Sequence, residues 1–241
     1  WLQCVTEANL TLPEMARVGL DIRAVCRLPI VLDAGAGWGD PAHMHRTVGL
    51  CEASGFAAIE IEDQVLPRRF HHHIGQERLV STEFMVQRIE QSIAARTSPD
   101  MMIIARTNAS RTEGIDAAVK KAEAFRRAGA DMLFVHTRTP DDIRFVGERL
   151  PAPLMIFAPE DGFANFALSR ADLAGLGFRL AASSGSAFAA MYKAVRQSYE
   201  CLAKDEIDPF LGKGGTNPEM KRAHATYGLQ KMLDIEKKTT G

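Results

Sequence analysis

The feature that most constrains this chain is a phrase repeated three times: a helix ending, a glycine, then an apolar run. It occurs as ASGFAAIEIED (53–63), RAGADMLFVHT (127–137) and GLGFRLAASS (175–184). A glycine just past a helix closes it in the left-handed conformation and turns the chain into the next element. Short apolar runs without alternation are strands covered on both faces, as in parallel sheets. Strand candidates are Pro29–Ala34, Ala57–Glu62, Met101–Thr107, Met132–Thr137, Leu154–Ala158 and Phe178–Ser183. Helical patterns separate them at Pro41–Ser54, Ser81–Ala95, Gly114–Ala128, Pro140–Arg149 and Ser169–Leu176, and Leu12–Arg27 precedes the first. Repeated βα units in one direction imply an α/β fold with right-handed crossovers.

A closed (β/α)8 barrel needs eight such units. Either the sheet is open, or one or two βα units precede Trp1; the helix opened by Thr11-Leu12-Pro13-Glu14 with only a weak strand before it favours the second. After Ser184 the pattern changes: a long helix over Ala187–Asp205, a Gly- and Pro-rich linker, then an amphipathic helix over Asn217–Thr239. The expected division is a barrel domain over 1–206, a linker over 207–216 and a C-terminal helix over 217–241. A helix beyond a flexible linker packs either on its own domain or on a neighbouring subunit, and spacing alone does not choose.

Composition narrows the function classes. A chain of 241 residues fits one α/β domain. A net charge of −1 gives no nucleic-acid-binding surface. No apolar run approaches the roughly 20 residues of a membrane span, and no signal peptide is visible. Cys4, Cys26, Cys51 and Cys201 are scattered without a CxxC pair. That suggests neither a zinc site nor a disulfide framework, and is read as a reducing cytoplasm.

The chemistry-bearing residues fall at strand ends. The first strand ends at Asp33 and enters Ala34-Gly35-Ala36-Gly37-Trp38-Gly39; the second ends at Glu62-Asp63. The glycine loop is neither a Walker motif nor GxGxxG. Carboxylates at the C-terminal ends of neighbouring parallel strands converge on one mouth. Such a pair suits a hard divalent cation with oxygen ligands, Mg²⁺ before Zn²⁺. Glu60 and Glu62 point to one side of their strand and Asp63 to the other. Arg106-Thr107-Asn108 ends the third strand, His136 the fourth, and Glu160 lies past the fifth. An Arg at such a position can hold a carboxylate by a two-point fork. Pro67-Arg68-Arg69-Phe70-His71-His72-His73 places cations beside the acids, which suits an anionic substrate. Three consecutive histidines cannot all bind one ion, so a single one acting as acid or base is the better reading.

With these residues in place, the chain resembles the isocitrate lyase/phosphoenolpyruvate mutase superfamily. The carriers are Leu10–Met15 (LTLPEM), Pro29–Gly39, Ile61–Arg69 (IEDQVLPRR), Ile104–Ala109 (IARTNA), Ala128–Val135 (AGADMLFV) and Gly175–Phe178. The resemblance implies a Mg²⁺-dependent (β/α)8 TIM-type barrel with a C-terminal helix swapped between subunits, in a homotetramer or dimer. It implies Asp33 and Glu62 as the metal residues, with Mn²⁺ as an alternative ion. It implies Gly37, Trp38, Gly39, Arg106 and Asn108 as substrate-binding, and Arg106, His72 and His136 as catalytic. Arg68–His73 matches the family's gating loop.

Departures narrow the branch. The family's usual second aspartate of Asp-x-Asp is Gly35 here, and Phe70 stands where the isocitrate and methylisocitrate lyases carry a catalytic Cys. Gln64 follows Asp63 where the phosphonate mutases have Lys; His136 replaces a common Glu and Phe157 a common Asn. What remains resembles the Cys-less oxaloacetate decarboxylases and related 2-oxoacid lyases. The expected activity is a Mg²⁺-dependent lyase or decarboxylase cleaving a C–C bond in a small 2-oxo or 2-hydroxy dicarboxylate. The alternatives are a C–P bond mutase or hydrolase, and a non-catalytic binder of small acids.

Overall fold

The computed structural model describes residues 9–67, 74, 76–159, 162–164, 166–183 and 185–239. The chain divides into two compact units, Trp1–Ser183 and Ser184–Gly241. The first contains six parallel strands: β1 (Val31–Asp33), β2 (Ala58–Glu62), β3 (Met102–Thr107), β4 (Met132–Val135), β5 (Leu154–Phe157) and β6 (Phe178–Ala182). They lie side by side in chain order and curl into a half-barrel, so the expected closed eight-strand barrel is not present among the described residues. Between them run α2 (Met44–Ala53), α3 (Thr82–Ala95), α4 (Ile115–Arg127), α5 (Pro140–Arg149) and α6 (Arg170–Gly175); α1 (Leu12–Val25) precedes β1. The helix expected from Pro41 opens with a 3-10 turn, Pro41–His43, before α2.

The local chemistry fixes the boundaries. Thr11, Thr139 and Ser169 start α1, α5 and α6 with reciprocal capping boxes. Gly55, Gly129 and Gly177 follow α2, α4 and α6 at φ +81, +103 and +90, as the repeated phrase required.

Strand side chains alternate between two cores. Leu32, Ile59, Ile61, Ile103, Leu133 and Ile156 join Met44, Val48, Met85, Ile89 and Phe125 from the helices in the outer core. Ala58, Ile104, Met132, Phe134 and Met155 form a smaller inner cluster, against which Phe157, Leu180 and Ala182 pack. Register then decides which polar groups meet on the inner face. Asp33 pairs with Glu60, Glu62 with Arg106, Arg106 with Phe134, and Phe134 with Met155.

The second unit holds α7 (Ser186–Ala203), α8 (Thr216–Thr226) and α9 (Leu229–Thr239). The single terminal helix expected over Asn217–Thr239 is therefore two helices. Gly228 at φ +75 breaks it, because a left-handed residue cannot continue a right-handed helix.

Candidate active site

Of the strand-end residues singled out from sequence, Glu62, Arg106 and Asn108 meet in one inner-face cluster centred on Arg106, with Asp33 and His136 close enough to act on its charges or feel them. Its Nη1 donates to Glu60 Oε1 (3.0 Å) and its Nε to Asn108 Oδ1 (3.1 Å), with Glu62 Oε2 3.5 Å from Nε. Asn108 Nδ2 donates to Glu62 Oε2 (2.7 Å). Asn108 thus braces both members of an ion pair. Asp63, on the other side of β2, accepts from Thr107 Oγ1 (2.6 Å) and from Asn108 N (3.0 Å). Those bonds fix the backbone from which Asn108 reaches inward. The Nη2 of Arg106 makes no hydrogen bond to the described residues and is left for a ligand.

The electrostatics follow from burial. Glu60 and Glu62 are 3% and 1% exposed. Loss of hydration pushes Glu62 up to about 8 and Glu60 up to about 7, against the opposing pull of Arg106. Asp33 adds to both shifts by repulsion, which places its charge close to them. Arg106 is pushed up too: burial opposes its charge, but Glu60, Glu62 and Asp33 outweigh that and hold it charged. Three carboxyl groups surround one guanidinium, and two of them hold protons that a bound cation would displace. That donor set, all oxygen, fits a hard divalent cation. No group of three His, Cys, Asp or Glu among the described residues is arranged to bind an ion by protein atoms alone. Water would therefore complete the shell, as Mg²⁺ commonly requires.

The glycine loop is pinned to the same rim. Asp33 Oδ1 accepts from Gly35 N (2.9 Å), and Gly35 O accepts from Glu62 N (2.8 Å). Gly37 N–H is already donated to Ala34 O (2.8 Å), so the loop amides without a hydrogen bond to the described residues are those of Ala36, Trp38 and Gly39. The Trp38 ring packs on the outer core and donates to Leu10 O (2.7 Å), so only its backbone serves the site.

Sequence reasoning missed Arg88. It is 1% exposed in α3 and donates to Gly39 O (3.2 Å) and to Glu62 O and Gln64 O (3.4 Å each). One guanidinium thereby ties the glycine loop to the end of β2. Burial lowers it only to about 10, so it stays charged at neutral pH. The signal was present: Met85, Arg88, Ile89 and Ser92 form one buried stripe at helical spacing, and a cation on that stripe needs carbonyl partners.

His136 follows β4, its N–H on Thr107 O (3.1 Å). Burial, then Arg111, Arg106 and Arg138, lower it to about 4, and its Nδ1 is buried without a hydrogen bond. It is neutral at pH 7 and holds no imidazolium proton to give. The other predicted acid–base residue, His72, lies outside the described residues, as do Arg68, Arg69, Phe70 and Glu160.

A parallel half-barrel with acids and an arginine converging on its strand ends defines an α/β enzyme site of the barrel type. The chain matches the phosphoenolpyruvate phosphomutase family over residues 4–203 and belongs to it. It is 31% identical to the 2,3-dimethylmalate lyase of Eubacterium barkeri over 94% of this chain and 78% of that one. It is 34% identical to an oxaloacetate decarboxylase of Pseudomonas paraeruginosa over 90% of this chain and 76% of that one. A crystal structure of phosphonopyruvate hydrolase with oxalate and Mg²⁺ superposes with a TM-score of 0.81 at 27% identity, covering 98% of this chain and 82% of that one.

Proposed function

We propose that this protein is a Mg²⁺-dependent carbon–carbon lyase acting on a small 2-oxo or 2-hydroxy dicarboxylate in the cytoplasm. The observation that carries this is the carboxyl cluster around Arg106: buried Glu60 and Glu62, with exposed Asp33 beside them, face a single guanidinium. Asp33 and Glu62 would hold the ion, and the relatives with 2,3-dimethylmalate and oxaloacetate in their names supply the substrate class. Bound there, Mg²⁺ supplies Lewis-acid stabilisation of negative charge developing on a substrate oxygen as the bond breaks.

The chain's own residues do the rest. Arg106 Nη2 takes one substrate carboxylate, and Asn108 keeps the guanidinium aimed. The Trp38 and Gly39 amides, on a loop that Arg88 holds in place, orient the other. Neutral His136 serves as a hydrogen-bonding group, and proton delivery to the carbanion is assigned to His72. The C-terminal helices, with Met220, Tyr227, Met232, Leu233 and Ile235 exposed, are assigned to exchange between subunits of a dimer or tetramer.

The test is turnover of a panel of 2-oxo and 2-hydroxy diacids with and without Mg²⁺. Mg²⁺-dependent cleavage of at least one, abolished in Asp33→Ala, supports the reading. No turnover of any sinks it. Turnover of phosphonopyruvate alone would favour C–P chemistry, and binding without chemistry a non-catalytic member.

A further inference from the structure

The inner face has two halves of opposite character. On β1 and β2 it carries Asp33, Glu60 and Glu62. On β4 and β5 it carries Phe134, Met155 and Phe157, with neutral His136 at the rim. Phe157 meets Phe134 edge-on at 4.7 Å between ring centroids and His136 at 6.2 Å. The Arg106 guanidinium carbon lies 5.0 Å from the Phe134 ring and 5.1 Å from the Phe157 ring. Phe134 is fully buried, whereas Phe157 ends its strand and is only partly covered. Of the two rings beside the carboxylate-binding cation, Phe157 is thus the one with surface to offer a ligand.

With the guanidinium carbon 5.1 Å from that ring, a carboxylate taken by Arg106 would bring its neighbouring carbon within reach of it. A hydroxyl or a second carboxylate on that carbon would lose water and find no donor on Phe157 in return. A methyl or larger apolar group would bury surface there.

We infer that Phe157, backed by Phe134, is a specificity-determining residue: it selects acids whose carbon next to the Arg106-bound carboxylate carries an alkyl or aryl substituent, over unsubstituted or hydroxylated analogues. The inference rests on the site taking a small diacid, as proposed above, and narrows that class. The competing view is that both rings only sandwich Arg106 and leave selectivity alone.

The experiment is calorimetric binding to the full chain with Mg²⁺, comparing the unreactive diacids 2,2-dimethylsuccinate and succinate with malate, whose integrity after each titration is checked by chromatography. The expected result is dimethylsuccinate at least about tenfold tighter than succinate, as one or two methyl groups in an apolar pocket allow. Phe157→Asn should bring that ratio to about one and improve malate relative to succinate; Phe157→Leu should keep the alkyl preference. Circular dichroism checks that each variant folds, and the wild-type ratio and Phe157→Leu decide if Phe157→Asn does not. Equal affinities in the wild type, a ratio unchanged in Phe157→Asn, or no binding of any diacid would overturn the inference. Turnover plays no part in this measurement, so failure of the lyase reading in the substrate panel is seen separately.

Discussion

At Glu62, Arg106 favours the carboxylate while burial and the nearby Asp33 and Glu60 charges oppose it, and burial wins. The folded carboxyl keeps its proton up to about 8, whereas an exposed one releases it near 4.5. Between those values the folded state binds more protons than the unfolded one, so raising the pH favours unfolding. Glu60 acts the same way up to about 7. His136, lowered to about 4, has the opposite sign between there and 6.5 and is silent above. With metal removed by EDTA, stability should therefore fall from pH 6.5 to 8, by at most about 1.4 kcal/mol per pH unit for each proton. Glu62→Gln should flatten the slope; urea midpoints that rise over this window would contradict the assignment. Gly35 gives a second residue-level prediction. Its φ is +52 and a Cβ there would meet nothing within 4 Å. Aspartate tolerates that region better than most residues. Gly35→Asp should fold and tighten Mg²⁺ about tenfold by adding a carboxylate, read by calorimetry. These positions were legible in the sequence because each is a polar residue closing an apolar run. Glu60 was legible only as one of three acids. Its role as the direct partner of Arg106 required the pairing of β2 with β3.

Among the elements, α3 matters to the site through one side chain. Removing Arg88 leaves the carbonyls of Gly39, Glu62 and Gln64 without that donor. Arg88→Leu should cost about 2–4 kcal/mol in denaturant unfolding and also lower kcat/KM, since the loop loses its tether. Gly37 tests the loop from its other side. It lies at φ +81, and a Cβ would come within 2.8 Å of the buried Met44 Cε. Gly37→Ala should destabilise by about 1–3 kcal/mol, more than Gly35→Ala, because only the first adds a clash to the backbone strain. The strands themselves were readable as continuous apolar runs, and the helix ends as glycines and capping boxes. The split of the terminal helix at Tyr227-Gly228 was not, since its apolar periodicity carries across the break.

For the molecule as a whole, the second unit carries large exposed apolar side chains on its C-terminal helices. Phe188, Tyr192, Val195 and Tyr199 on α7, and the apolar residues of α8 and α9, are exposed in the single chain. Exposed apolar surface on this scale fits the helix exchange proposed above. Size exclusion with light scattering should find the full chain larger than a monomer, and deletion of 216–241 should lower that mass. A monomeric full chain would remove the helix-exchange proposal. No described helix is long and apolar enough to cross a membrane.

By itself the sequence determined the parallel α/β fold and the convergence of Asp33, Glu62, Arg106 and His136 on one rim. Those follow from periodicity and from the rule that parallel strands end together. Only the tertiary structure decided which side chains touch. Strand register made Glu60 the ion-pair partner of Arg106, placed Phe157 beside its guanidinium, and buried the acids deeply enough to hold their protons near neutrality. Contact and desolvation are properties of packed neighbours, and no spacing along the chain encodes them.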